Sequence, residues 1–138
     1  MELGQQPVDF CSHLAEALSW HPPGACRFDN IDVSKVPWTT AGFRELLGIL
    51  QGRAATTQRL KAYRCRLEDE AVLEIATWLH PMPPQLVPRE VHLSDNEMST
   101  ETFEHLVCTL EVKLAACPPR VPLWLRIEGN RIKPETVQ

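Results

Sequence analysis

What this sequence lacks narrows it first. No run of apolar residues approaches the ~20 that a membrane-crossing helix needs, and the opening MELGQQPVDF holds neither the basic nor the apolar segment of a secretion signal. No membrane insertion is expected. The five cysteines (Cys11, Cys26, Cys65, Cys108 and Cys117) are odd in number, form no CxxC pair and sit mostly among apolar neighbours. There a reduced thiol behaves as a small hydrophobe, which fits an intracellular, reducing compartment, the cytoplasm by default. Glycine is scarce, and Gly4, Gly24, Gly42, Gly48, Gly52 and Gly129 stand apart. That spacing builds neither a phosphate-cradling loop nor a dinucleotide fingerprint, and no nucleophile-base motif occurs. Neither catalysis nor a cofactor is expected.

What is present fits one globular domain: 138 residues, 43% of them hydrophobic and 23% charged. The net charge of −4 falls unevenly, with eight acids and eight bases over residues 1 to 69 and ten acids and six bases thereafter. No whole-surface binder of polyanions is implied. Twelve prolines, about 9% of the chain against a usual ~5%, cluster in HPPG (21 to 24), HPMPPQLVP (80 to 88) and CPPRVP (117 to 122). Each cluster separates patterned segments of about twenty residues, so the prolines punctuate the chain and an internal period becomes the natural question.

The phrase LRIEGNRI near the C-terminus carries apolar, apolar, Asn, apolar at relative positions 1, 3, 6 and 8: Leu125, Ile127, Asn130 and Ile132. The same spacing recurs upstream in VHLSDNEM (Val91, Leu93, Asn96, Met98), in LKAYRCRL (Leu60, Ala62, Cys65, Leu67) and in IDVSKVPW (Ile31, Val33, Val36, Trp38). Five, eight and twelve residues beyond each complete phrase stand Phe43, Leu46 and Leu50, then Val72, Ile75 and Leu79, then Phe103, Leu106 and Leu110. All nine are apolar, at the spacing of an amphipathic helix. Each unit therefore reads as strand, turn, helix. Unit starts at 31, 60, 91 and 125 lie 29, 31 and 34 residues apart, and the longer intervals coincide with proline-rich insertions before the next strand.

On these phrases the chain resembles the leucine-rich repeats, and by its period and helical second halves the ribonuclease-inhibitor-like subclass. The family pattern LxLxxNxI stands here as LRIEGNRI; VHLSDNEM matches it, and Cys65 takes the Asn position in a form the family also accepts. The first unit departs, with Val36 at that position and Pro37 beside it. The resemblance implies an α/β solenoid over residues 27 to 138, with parallel strands on a concave face and helices on a convex one. It also implies that the Asn satisfies backbone groups of its turn, which unpaired would cost about 1 to 3 kcal/mol each.

Both ends of such a stack need cover. Within residues 1 to 26, VDFCSHLAEALSW places Phe10, Leu14 and Leu18 on one helical stripe, which we read as a capping helix with Trp20 packed near its end. At the other end the sequence runs out six residues after Ile132. An open strand edge and partly bare apolar groups on the third repeat helix are expected there.

In such a solenoid the residues between core positions face the concave side, where the family usually holds partners. Three columns result: Asn30, Arg59, Glu90 and Trp124; Asp32, Lys61, His92 and Arg126; Ser34, Tyr63, Ser94 and Glu128. Because Tyr, Trp and Arg dominate binding energy at protein interfaces, the candidate partner-binding set is Arg59, Lys61, Tyr63, His92, Trp124 and Arg126. The plainer reading of the same residues is a solvated face on which opposite charges pair across strands for a few tenths of a kcal/mol each. A non-enzymatic protein-interaction module, a scaffold or subunit of a larger assembly, is the expected role. The alternative is an RNA-associated module using residues 53 to 66, RAATTQRLKAYRCR, which carry five bases, no acid and Tyr63. Cys11, His13, His21 and Cys26 have the chemistry of zinc ligands, but on a helix Cys11 and His13 point about 200° apart. A packed thiol and a surface imidazole are expected instead, and no metal.

Overall fold

The computed structural model describes residues 7 to 20, 22, 26 to 115 and 123 to 133, with side chains from Cys11 onward. Its elements in chain order are α1 (Pro7–Ser19), β1 (Arg27–Asp32), α2 (Thr40–Gly52), β2 (Thr56–Lys61), α3 (Asp69–Leu79), β3 (Glu90–His92), α4 (Thr100–Ala115) and β4 (Trp124–Arg126). A 3₁₀ turn at Pro84–Leu86 interrupts the connection between α3 and β3. The four strands form one sheet in sequence order, every pair parallel. Ile31, Leu60, Val91 and Leu125 are partners in successive pairs and make a single rung across the sheet.

Side-chain period explains what this arrangement buries. Alternate strand residues face the helices, and the nine apolar stripe positions of α2, α3 and α4, Phe43 to Leu110, are all buried against them. Burying a side chain of that size contributes about 1.5 to 3 kcal/mol. At the head of α2 the Thr39 hydroxyl accepts the Gly42 N–H at 3.0 Å, the capping that starts a helix cleanly. Asp69 opens α3 with negative charge at its N-terminus, as the helix dipole favours. Its carboxylate also accepts the Ser99 N–H at 2.7 Å from the next unit. Burial pushes the Asp69 carboxyl up, but hydrogen bonds from Ser99 and Thr102 and the charge of Arg131 outweigh it and hold the group below its ordinary range.

The asparagines bind one unit to the next. Asn96 donates through Nδ2 to the carbonyls of Ala62 (2.8 Å) and Leu93 (3.0 Å), while its Oδ1 accepts the N–H groups of Cys65 (3.0 Å) and Leu67 (3.1 Å). Asn130 repeats the device one unit on, donating to Leu93 (2.8 Å) and Ile127 (2.9 Å) and accepting from Met98 N–H (3.0 Å). Each side chain thus completes its own turn and the preceding one. In the first unit Val36 has nothing to offer, and its place is filled from both sides: Trp38 Nε1 (3.1 Å) and Cys65 Sγ (3.2 Å) both reach the Val33 carbonyl.

The two ends of the stack differ. At the front α1 packs on α2 through buried Cys11, Leu14 and Leu18, with Cys11 Sγ 4.0 Å from the Gly42 carbonyl. The side chain of Phe10 lies outside the described residues. Trp20 corrects an expectation: it is 79% exposed and covers nothing. It follows Leu18 by two residues, about 200° around a helix, so a stripe that buries Leu18 turns Trp20 outward. At the back, Leu125 is half-buried where its rung partners are fully buried, β4 pairs on one side only among the described residues, and Val112 of α4 is 68% exposed. Among the described residues β4 stands at the sheet edge, as expected, whereas the expected bare stripe is not found: Phe103, Leu106 and Leu110 are buried, and Val112, about 200° around the helix from Leu110, faces outward by phase.

The proline-rich insertion at 80 to 88 is packed. Met82 and Val87 are buried, Lys113 Nζ donates to the Met82 carbonyl at 2.9 Å, and Arg27 donates to the Leu86 carbonyl at 3.2 Å. No helix among the described residues is long and apolar enough to cross a membrane.

Candidate interaction surface

The sheet's outward columns follow from strand register. Asn30, Arg59, Glu90 and Trp124 stand in line, and beside them Asp32, Lys61, His92 and Arg126. Each column holds one residue from each unit, so side chains far apart in sequence become neighbours about 4.8 Å apart along the sheet.

Lys61, Tyr63, His92 and Arg126 come together as the lining of one open cavity of about 410 Å³ at the C-terminal ends of the strands. Arg59 and Trp124 stand one column away, outside that lining. Arg59 Nε lies 3.4 Å from the Glu90 carboxylate, the cross-strand pairing that a solvated face would show, whereas Trp124 is 63% exposed on the edge strand. His92 Nε2 is buried and makes no hydrogen bond among the described residues; it lies 3.4 Å from the Glu90 carboxylate.

The rest of the lining, Lys35, Arg64, Ser94 and Asp95, lies outside the candidate set, although Ser94 stands in an outward column and Arg64 in the basic stretch. Three of them share a backbone feature. Lys35 (φ 64°), Arg64 (φ 54°) and Asp95 (φ 56°) occupy the fifth position of successive phrases, as does Gly129 (φ 77°) in the last. Left-handed backbone costs an ordinary residue about 1 to 2 kcal/mol, so glycine alone sits there without strain. A Cβ on Gly129 would also overlap the Asp95 carboxylate. Gly129→Ala is therefore expected to lower stability by about 1 to 2 kcal/mol, read as a lower urea midpoint; an unchanged midpoint would contradict the conformation.

The basic stretch 53 to 66 is divided, with Lys61, Tyr63 and Arg64 at the cavity and Arg53 and Arg59 outside its lining. Arg53 caps the far end of α2, Arg59 turns to Glu90, and Arg64 lies 3.5 Å from Asp95. The two buried cysteines, Cys11 and Cys65, do not point to chemistry. Burial, with the nearby charge of Glu45, pushes the Cys11 thiol up to about 11. Burial likewise raises Cys65 to about 11 against the opposing pull of backbone hydrogen bonds from Val36 and Lys35. Both stay protonated at neutral pH and are poor nucleophiles. Of the four potential zinc ligands, Cys11 is buried, His13 exposed, Cys26 half-buried, and His21 lies outside the described residues. Among the described residues no cluster of His, Cys, Asp or Glu is arranged to hold a metal ion.

Strand-turn-helix units stacked in order, with one parallel sheet and helices behind it, define an α/β fold of the leucine-rich-repeat type. Among solved structures, the tropomodulin C-terminal domain of Caenorhabditis elegans is similar, with a TM-score of 0.61 at 11% sequence identity over 88% of this chain. The chain spans 65% of that domain's length. No family model matches the sequence, and no curated protein does. At such low identity the likeness speaks to the fold alone.

Proposed function

We propose that this chain is a non-enzymatic protein-binding module of the ribonuclease-inhibitor-like subclass, acting as a small scaffold or accessory subunit in a reducing compartment. A period near 29 residues and a full helix in each complete unit support the subclass. The observation that carries the function is the alignment of Arg59, Lys61, Tyr63, His92, Trp124 and Arg126 on one strand face that ends at a strand paired, among the described residues, on one side only. Unpaired strand edges recruit other chains, and an exposed Trp next to Arg is the side-chain chemistry of an interface hot spot.

A photo-crosslinker placed at Trp124 in the natural assembly is expected to capture a protein partner, and Trp124→Ala is expected to weaken that association at least tenfold without lowering the thermal midpoint. A monomer with no crosslinks near Trp124 would overturn the proposal.

A further inference from the structure

The concave cavity is cationic on a chain whose net charge is −4. Its lining carries Lys35, Lys61, Arg64 and Arg126 against a single acid, Asp95. The Arg64–Asp95 pair, 3.5 Å apart, cancels one of each. Lys35, Lys61 and Arg126 remain, and among the described residues none of the three has an ion-pair partner. Lys35 Nζ instead lies 6.0 Å from the Tyr63 ring centroid, a cation–π contact. Clustered like charges in a concavity repel one another and focus potential on an incoming anion.

Neutral donors accompany the cations. Tyr63 and Ser94 line the cavity, and their hydroxyls make no hydrogen bond among the described residues. Lys35, Lys61 and Arg126 come from three different units, so they approach from separate directions. A carboxylate brings two oxygens and one charge. A phosphoryl group brings three oxygens and a charge near −2, which matches the set better.

A polyanion fits poorly. Asp32, Glu90 and Glu128 stand in the outward columns around the cavity, where they would repel a backbone charged at every nucleotide. A discrete phosphoryl group avoids them.

We propose that this cavity binds a phosphorylated side chain, phosphoserine or phosphothreonine, presented by an extended segment of a protein partner. The proposal rests on the reading of this face as a protein-binding surface and names the chemistry it recognises. Lys35 and Arg64 then keep charged side chains at left-handed positions because those positions aim them into the site.

The probes are labelled degenerate peptide pools centred on phosphoserine, phosphothreonine, serine or glutamate, with a mixed-sequence single-stranded RNA, followed by fluorescence anisotropy on the full chain. Binding of a phosphorylated pool at least tenfold tighter than the serine and glutamate pools is expected, with competition by inorganic phosphate. Lys35→Gly, which relieves the positive φ, and Arg126→Gln at the surface should each weaken that binding several-fold without lowering the thermal midpoint. Equal binding of phosphorylated and serine pools would overturn the phosphoryl proposal while leaving a protein-binding face intact. So would tighter binding of RNA, or phosphopeptide binding indifferent to both substitutions. Binding of no pool, together with no crosslinks at Trp124, would remove both readings.

Discussion

Asn96→Ala is expected to lower the unfolding free energy by about 3 kcal/mol or more, because three backbone groups lose their partner at about 1 to 3 kcal/mol each. They are the N–H groups of Cys65 and Leu67 and the carbonyl of Ala62, whereas the Leu93 carbonyl retains Asn130. Against a total stability of about 5 to 15 kcal/mol for a domain, that loss is severe. Asn130→Ala supplies the contrast: its side chain is half-buried, water can reach the groups it leaves, and a cost of about 1 kcal/mol is expected. Urea unfolding of both variants decides the matter. Equal costs, or a loss below 1 kcal/mol for Asn96, would mean that the turns do not depend on the side-chain ladder.

The second large effect belongs to the rung. Leu60 is fully buried between neighbouring strands, and Leu60→Ala is expected to cost about 2 to 5 kcal/mol, as deletion from a packed core does. Leu125, chemically identical and in the same rung, is half-buried at the edge, so Leu125→Ala should cost only about 1 kcal/mol. The ratio is the informative quantity. Equal costs in calorimetry of the isolated chain would mean that the last strand is as well covered as the second.

The rung and the helical stripes were legible because both periods are written in apolar residues, and burial of those residues is what the fold requires. Asn96 and Asn130 were legible for a related reason: few other side chains present a donor and an acceptor to a buried turn at once. The first unit was readable only in part. Val36 announces that its turn lacks the usual donor, but the remedy lies in Trp38 and in Cys65 one unit away, and no local pattern reveals it. Trp20 misled because hydrophobicity was read without its angle around the helix. In the candidate site, the columns followed from register, and Lys61, Tyr63, His92 and Arg126 do meet. Lys35 and Arg64 fell outside the candidate set because the left-handed position is recognisable only where glycine occupies it, at Gly129; elsewhere Lys, Arg and Asp disguise it.

The asparagine ladder gives the stack a direction. Asn96 reaches back to finish the turn of the second unit, and Asn130 reaches back to the third, so each unit's last backbone partners are supplied by its successor. Growth of the chain from its N-terminus therefore leaves the newest turn hydrated and loose until another unit emerges and locks it. Dependence travels against the order of synthesis, and a lesion in a late unit is felt first by the one before it.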